Sequence, residues 1–166
     1  LNVKGKAEAA PPADVARLME LYVAFFNRVP DADGLRYWID QKAAGQSLEQ
    51  IAESFFSAGV HYASVTGFSD SMSHEDFVDL VYKNVLGRSE GADDGGLAYW
   101  SGRLERGEET HGSLVADILA SAHTFKGDHT YGYVADLLDN KLAVARTFAV
   151  DWGLTYNTPE DSIVKG

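Results

Sequence analysis

One stretch of this chain occurs twice. The first copy runs from Leu21 through Phe25, Phe26 and Arg28 to Asp31, and on to Gly34-Leu35-Arg36-Tyr37-Trp38. The second runs from Leu80 through Val85, Leu86 and Arg88 to Asp93 and Asp94, and on to Gly96-Leu97-Ala98-Tyr99-Trp100. Both read as an apolar helix ending in Arg, an acidic turn, and Gly-Leu-x-Tyr-Trp opening a second helix. Gly45 then matches Gly107, and Ile51 to Ala58 matches Val115 to Ala122. A repeat of this length restricts architecture strongly and chemistry weakly. Each copy should be three helices, with insertions confined to the acidic turn and the approach to the third helix, where loops tolerate them.

The Arg-x-x-Asp-x-x-Gly-Leu-x-Tyr-Trp pattern resembles a bacterial domain family of unknown function, the one numbered 4214. More distantly it is similar to the phycobilisome rod linker domain. The resemblance spans most of Leu18 to Ala122. The run from Asn140 through Ser162 also resembles the segment commonly found C-terminal to such repeats in large surface proteins. The resemblance implies a surface-layer, adhesin-like or calcium-repeat context outside the cell, and it carries no activity. The first copy departs from the pattern by having Asn27 where the second has Gly87.

Charge and composition narrow the classes. Fourteen basic and 25 acidic residues leave a net charge of −11. Such a surface repels phosphate backbones and anionic membranes, which argues against nucleic acid as a partner. The absence of cysteine removes disulfides, thiolate metal sites and cysteine nucleophiles. No apolar run reaches the ~20 residues of a transmembrane helix. Leu1 to Ala10 lacks the hydrophobic stretch of a signal peptide.

Along the chain, 1–12 reads as a tail or linker. A helical domain over 13–153 comes next: repeat one at 13–58, a Gly/Ser/Thr-rich connector at 59–72, repeat two at 73–125, and a long final helix at 128–153 capped by Asp128. Residues 154–166 read as a second tail. Val15, Leu18, Met19, Tyr22, Phe25 and Phe26 keep helical spacing along the first helix, which Pro30 is expected to stop. Ser47 to Gln50 forms a capping box ahead of the third helix, and Ser73 is placed to cap the fourth. No useful segment alternates at period two. The expected fold is all-α: two three-helix repeats packed together with a long bracing C-terminal helix.

Four groups could carry chemistry. Asp31, Asp33, Glu90, Asp93 and Asp94 cluster at the turns, and calcium favours oxygen-rich loops. An EF-type loop does not fit, since Val29 would occupy the first ligand position. The plainer reading is helix capping with ion pairs to Arg28 and Arg88. Those arginines end the first helix of each copy, where a planar guanidinium complements the dipole and binds turn carboxylates. Of the Tyr-Trp pairs, Trp38 and Trp100 fall on the apolar face, while Tyr37 and Tyr99 point away and could stack on sugar rings or pack on another helix. His61, His74, His111, His123 and His129 are scattered; only His123 and His129, flanking Asp128, could meet as a metal site. No Gly-x-Ser-x-Gly elbow, phosphate loop or dinucleotide fingerprint is present.

These readings converge on a non-enzymatic extracellular or cell-surface module that binds a surface polysaccharide, a protein partner or neighbouring domains of a longer chain. Tyr37, Tyr99, Arg28 and Arg88 are its candidate contacts. A calcium-dependent surface-layer or adhesin domain, with Asp31, Asp33, Asp93 and Asp94 as ligands, is one alternative. A polysaccharide hydrolase using turn carboxylates is another, although glycoside cleavage needs two carboxyls across a cleft. A scaffold linker is a third.

Overall fold

The computed structural model describes residues 2–156, and among them every regular element is helical. In order these are α1 (Val3–Ala9), α2 (Pro12–Phe26), α3 (Ala32–Ala43), α4 (Leu48–His61), α5 (Ala63–Thr66), α6 (His74–Leu86), α7 (Asp94–Glu105), α8 (His111–Thr124) and α9 (Gly132–Ala145), continued by a π-helical turn at Arg146–Asp151. The expected all-α fold is what forms.

Helix α2 is the centre of the molecule. Pro12 starts it, its missing N–H being one that a first turn leaves unbonded anyway. Leu18 to Phe25 are then buried without interruption, so this helix is enclosed on all sides rather than along one stripe. It packs on α3, α4, α6, α8 and α9. Phe25 within it and Phe55, Phe68 and Phe77 around it are fully buried, each worth ~1.5–3 kcal/mol of transfer from water. The helix stops at Asn27, whose backbone is left-handed (φ 49°) and whose N–H donates to the Val23 carbonyl. Gly87 ends α6 with φ 61°. Gly and Asn are the residues that suit this cap, which accounts for the one mismatch inside the repeated motif. Pro30 lies beyond the stop and does not set it.

The two copies fall on α2–α4 and α6–α8. Their third helices correspond one residue away from the alignment read from sequence. Ser47 and Thr110 are the N-caps of α4 and α8, each with a reciprocal bond from the residue three further on. At the same offset Ile51, Phe55 and Phe56 pair with Leu114, Ile118 and Leu119, all buried. Caps and burial set this register, whereas letter identity between Ala52 and Ala116 suggests another. Helices α4 and α8 pack more extensively than any other pair. A Cβ on Gly112 would lie 2.6 Å from the Glu53 backbone nitrogen, and the Gly112 N–H donates to Glu53 Oε1 at 2.6 Å.

Polar contacts join the triples elsewhere. Asn84 Nδ2 donates to the Ala24 carbonyl at 2.9 Å. The buried Glu20 carboxylate is held by Arg17 Nη1 at 3.0 Å and by the ring of His123. On α9, Lys141 donates to the Asn84 carbonyl at 2.9 Å and reaches Asn27 Oδ1 at 3.5 Å, so one ammonium spans the C-terminal ends of α2 and α6. Burial pushes its pKa down.

Four segments differ from expectation. The connector expected over 59–72 carries the last turn of α4 and the short helix α5. The N-terminal stretch expected as a tail forms α1, capped by Asn2 and seated through Val3 and Ala7. The final helix begins at Gly132; Asp128 instead accepts from the Thr130 and Tyr131 N–H groups, both at 2.7 Å, in the turn before it. Of the expected C-terminal tail, Leu154 to Tyr156 lie against the first acidic turn. The rest of it, from 157 on, lies outside the described residues, as does Leu1.

Candidate functional site: the two Arg–Asp turns

Each acidic turn is built the same way from the residues upward. Asp31 and Asp93 are the N-caps of α3 and α7, and their Oδ1 atoms accept from the Gly34 N–H at 3.0 Å and the Gly96 N–H at 2.7 Å. A tyrosine from the preceding helix lies over each glycine. A Cβ on Gly34 would collide with the Tyr22 hydroxyl and sit 2.6 Å from Asp31 Oδ1. A Cβ on Gly96 would come within 2.8 Å of the Tyr82 hydroxyl. The tryptophan of the motif closes the second loop, where Trp100 Nε1 donates to the Tyr82 hydroxyl at 3.0 Å; Trp38, at the same position of the first, packs 4.8 Å from the Phe55 ring. The glycine is therefore required by close approach, the aspartate by the cap and, at the second turn, the tryptophan by its N–H. Tyr22 and Tyr82 complete the unit; periodicity marks Tyr22 as core without revealing that its hydroxyl is used.

The arginines differ between turns. Arg28 is buried, with its guanidinium 5.3 Å from the Tyr22 ring centre and 5.2 Å from that of Phe26. Burial lowers its pKa, with Tyr22 and Asp31 opposing. Burial also raises the Tyr22 hydroxyl well above its usual value, the neighbouring Arg28 opposing. Arg88 is more open and lies 3.7 Å from Asp93 Oδ2. Among the other acids, Asp33 pairs with Arg36 at 3.1 Å, and Glu90 and Asp94 are exposed. The second turn, the longer of the two, is pinned from α6 by Asp79, whose Oδ1 accepts from the Ala92 N–H at 2.9 Å. No sequence signal singles Asp79 out.

The first turn is covered by the chain itself. The Ala32 N–H donates to the Leu154 carbonyl at 2.7 Å, the Thr155 hydroxyl reaches Asp31 Oδ2 at 3.0 Å and Asp33 Oδ2 at 3.2 Å, and the Tyr156 N–H points at Asp31 Oδ2 at 3.5 Å. Nothing in the sequence couples residues this far apart. The second turn opens on a cavity of about 180 Å³ lined by Tyr82, Leu86, Arg88, Asp93, Trp100 and Ile118, among others.

Tyr37 and Tyr99 stand outside this arrangement. They are 54% and 56% exposed, each edge-on to the following tryptophan at 4.9 and 4.8 Å. Arg103 lies 5.7 Å from the Tyr99 ring centre and donates to its hydroxyl at 3.2 Å. His123 is engaged by Glu20, and His129 is exposed. Among the described residues, no group of three His, Asp or Glu side chains is arranged to hold a metal ion. No helix among them is long and apolar enough to cross a membrane.

The geometry defines an all-helical module built around two capped Arg–Asp turns. The family model of a domain of unknown function, DUF4214, matches residues 63–126, which hold the second turn with α6, α7 and α8. The match supports the family resemblance read from the repeated motif. No curated protein and no solved structure matches the chain.

Proposed function

We propose that this chain is a non-catalytic interaction module, working at the cell surface or outside the cell, that holds a surface polysaccharide through Tyr37 and Tyr99. The supporting observation is the division of labour inside the repeated Tyr-Trp pair. Trp38 packs against the core and Trp100 is buried and bonded to Tyr82, whereas the neighbouring Tyr37 and Tyr99 are more than half exposed yet held edge-on by those tryptophans. A pre-oriented tyrosine offers a large amphipathic contact at little entropic cost. Asp31 and Asp93 meanwhile each commit one oxygen to a cap, and Asp33 and Asp93 each face an arginine.

The test is a binding screen of the purified chain against surface polysaccharides, repeated with Tyr37→Ala and Tyr99→Ala. The expected result is binding that both substitutions weaken while the melting temperature stays in place. Binding indifferent to both substitutions, binding to no polysaccharide, or release of reducing ends from any of them would overturn the reading.

A further inference from the structure

The two turns share their construction but not their contents. At the first, Phe26 and Phe55 fill the interior, with ring centres 5.6 Å apart and Trp38 4.8 Å from Phe55. At the second, the corresponding positions are Leu86 and Ile118, and the space is left as the cavity of about 180 Å³. That size is on the order of the ~150 Å³ cavity that admits a benzene ring. It is well below the ~300 Å³ at which small-molecule pockets begin. One aromatic or large aliphatic side chain fits it.

The polar edge of the cavity matches what the first turn already uses. Asp93 stands where Asp31 does; one oxygen caps Gly96, and the side chain is 55% exposed, with its other oxygen facing Arg88. The Asp94 N–H corresponds to the Ala32 N–H and belongs to a first turn whose N–H groups have no partner inside the helix. At the first turn those two groups hold an extended strand of main chain, Leu154 to Tyr156.

We propose that the second turn receives an extended segment of a partner polypeptide in the same manner. A main-chain carbonyl of the segment sits on the Asp94 N–H. A hydroxyl or main-chain N–H sits on Asp93 Oδ2, alongside the Arg88 guanidinium 3.7 Å from it. An aromatic or large aliphatic side chain enters the cavity between Leu86, Trp100 and Ile118. With a net charge of −11 on this chain, the segment is neutral or basic. This site is separate from the exposed tyrosines, so polysaccharide binding can fail while it stands.

The experiment is an amide-resolved NMR titration of the ¹⁵N-labelled chain with the end-blocked peptide Gly-Leu-Thr-Tyr-Asn, which copies the chain's own 153–157. Saturable shifts are expected at the Asp94 and Gly96 amides and the Trp100 indole N–H. Asp93→Asn keeps the helix cap, since Asn caps as well as Asp, but replaces the accepting oxygen with a donor. It should weaken binding about tenfold or more, the worth of one hydrogen bond to a charged group. Leu86→Phe fills the cavity and should abolish the Trp100 shift. No saturable shift at millimolar peptide, shifts that both variants leave unchanged, or shifts confined to the Asp31 turn would overturn the proposal. The same shifts on concentrating the chain alone would name a second copy as the occupant and overturn it too.

Discussion

Replacing Gly34 with alanine should destabilise the protein, although alanine is the better helix former. In an open helix the change would gain ~1 kcal/mol. Here the new methyl meets the Tyr22 hydroxyl and Asp31 Oδ1, and Tyr22 is 4% exposed, so its ring has nowhere to swing. Overpacking of this kind costs ~1–3 kcal/mol. The methyl also strains the Asp31 cap, worth ~1 kcal/mol. Set against the propensity gain, the net loss is about 2 kcal/mol, a fall in Tm of roughly 4–8 °C for a chain of this size. Two neighbours calibrate the argument. Gly96→Ala meets the Tyr82 hydroxyl at 2.8 Å, but Tyr82 is only half-buried and can move, so about 1 kcal/mol is expected. Gly95→Ala meets only Asp93 Oδ1, at an ordinary 3.6 Å, and should be neutral or up to ~1 kcal/mol more stable. Thermal and urea unfolding followed by circular dichroism reads all three. A Gly34→Ala protein as stable as the parent, or one less affected than Gly96→Ala, would refute the claim that the glycine is fixed by the tyrosine above it.

Other perturbations act on the same contacts. Glu20→Ala leaves Arg17 and His123 without their shared carboxylate; because both reach water, the cost should be about 2 kcal/mol rather than that of a fully buried pair, and a urea midpoint equal to wild type would show that the Glu20 pair adds nothing. His111 stacks on Phe56 at 4.2 Å, and burial lowers its pKa, with Glu53 opposing and His74 reinforcing. The unfolded chain therefore binds the extra proton first, so stability is lost as pH falls below about 6.5. His111→Phe should flatten that part of the urea-midpoint profile, and an unchanged slope would assign it to other groups. Calcium and chelator should give the same Tm, because Asp31 and Asp93 each commit an oxygen to a cap; a rise of several degrees in millimolar calcium would restore the turns as ion sites.

The features legible in the sequence are those with a local cause. The Ser47–Gln50 box, the caps at Asp31 and Ser73 and the apolar spacing of α2 depend on residues within one or two turns, and all of them form. Glu20 sits among apolar neighbours in sequence, and its partner His123 arrives from α8, so spacing could not predict a buried carboxylate. Val3 and Ala7 are too short a pattern to announce α1, which depends on α3 and the π-helical turn for its cover. The two turns show how far local reasoning reaches. Their identical caps are visible in the motif. Their difference lies at Phe26 against Leu86 and Phe55 against Ile118, and that comparison makes sense only in the register set by the Ser47 and Thr110 caps. The repeated motif thus builds the same frame at both sites, while residues two helices apart fill one interior and leave the other open.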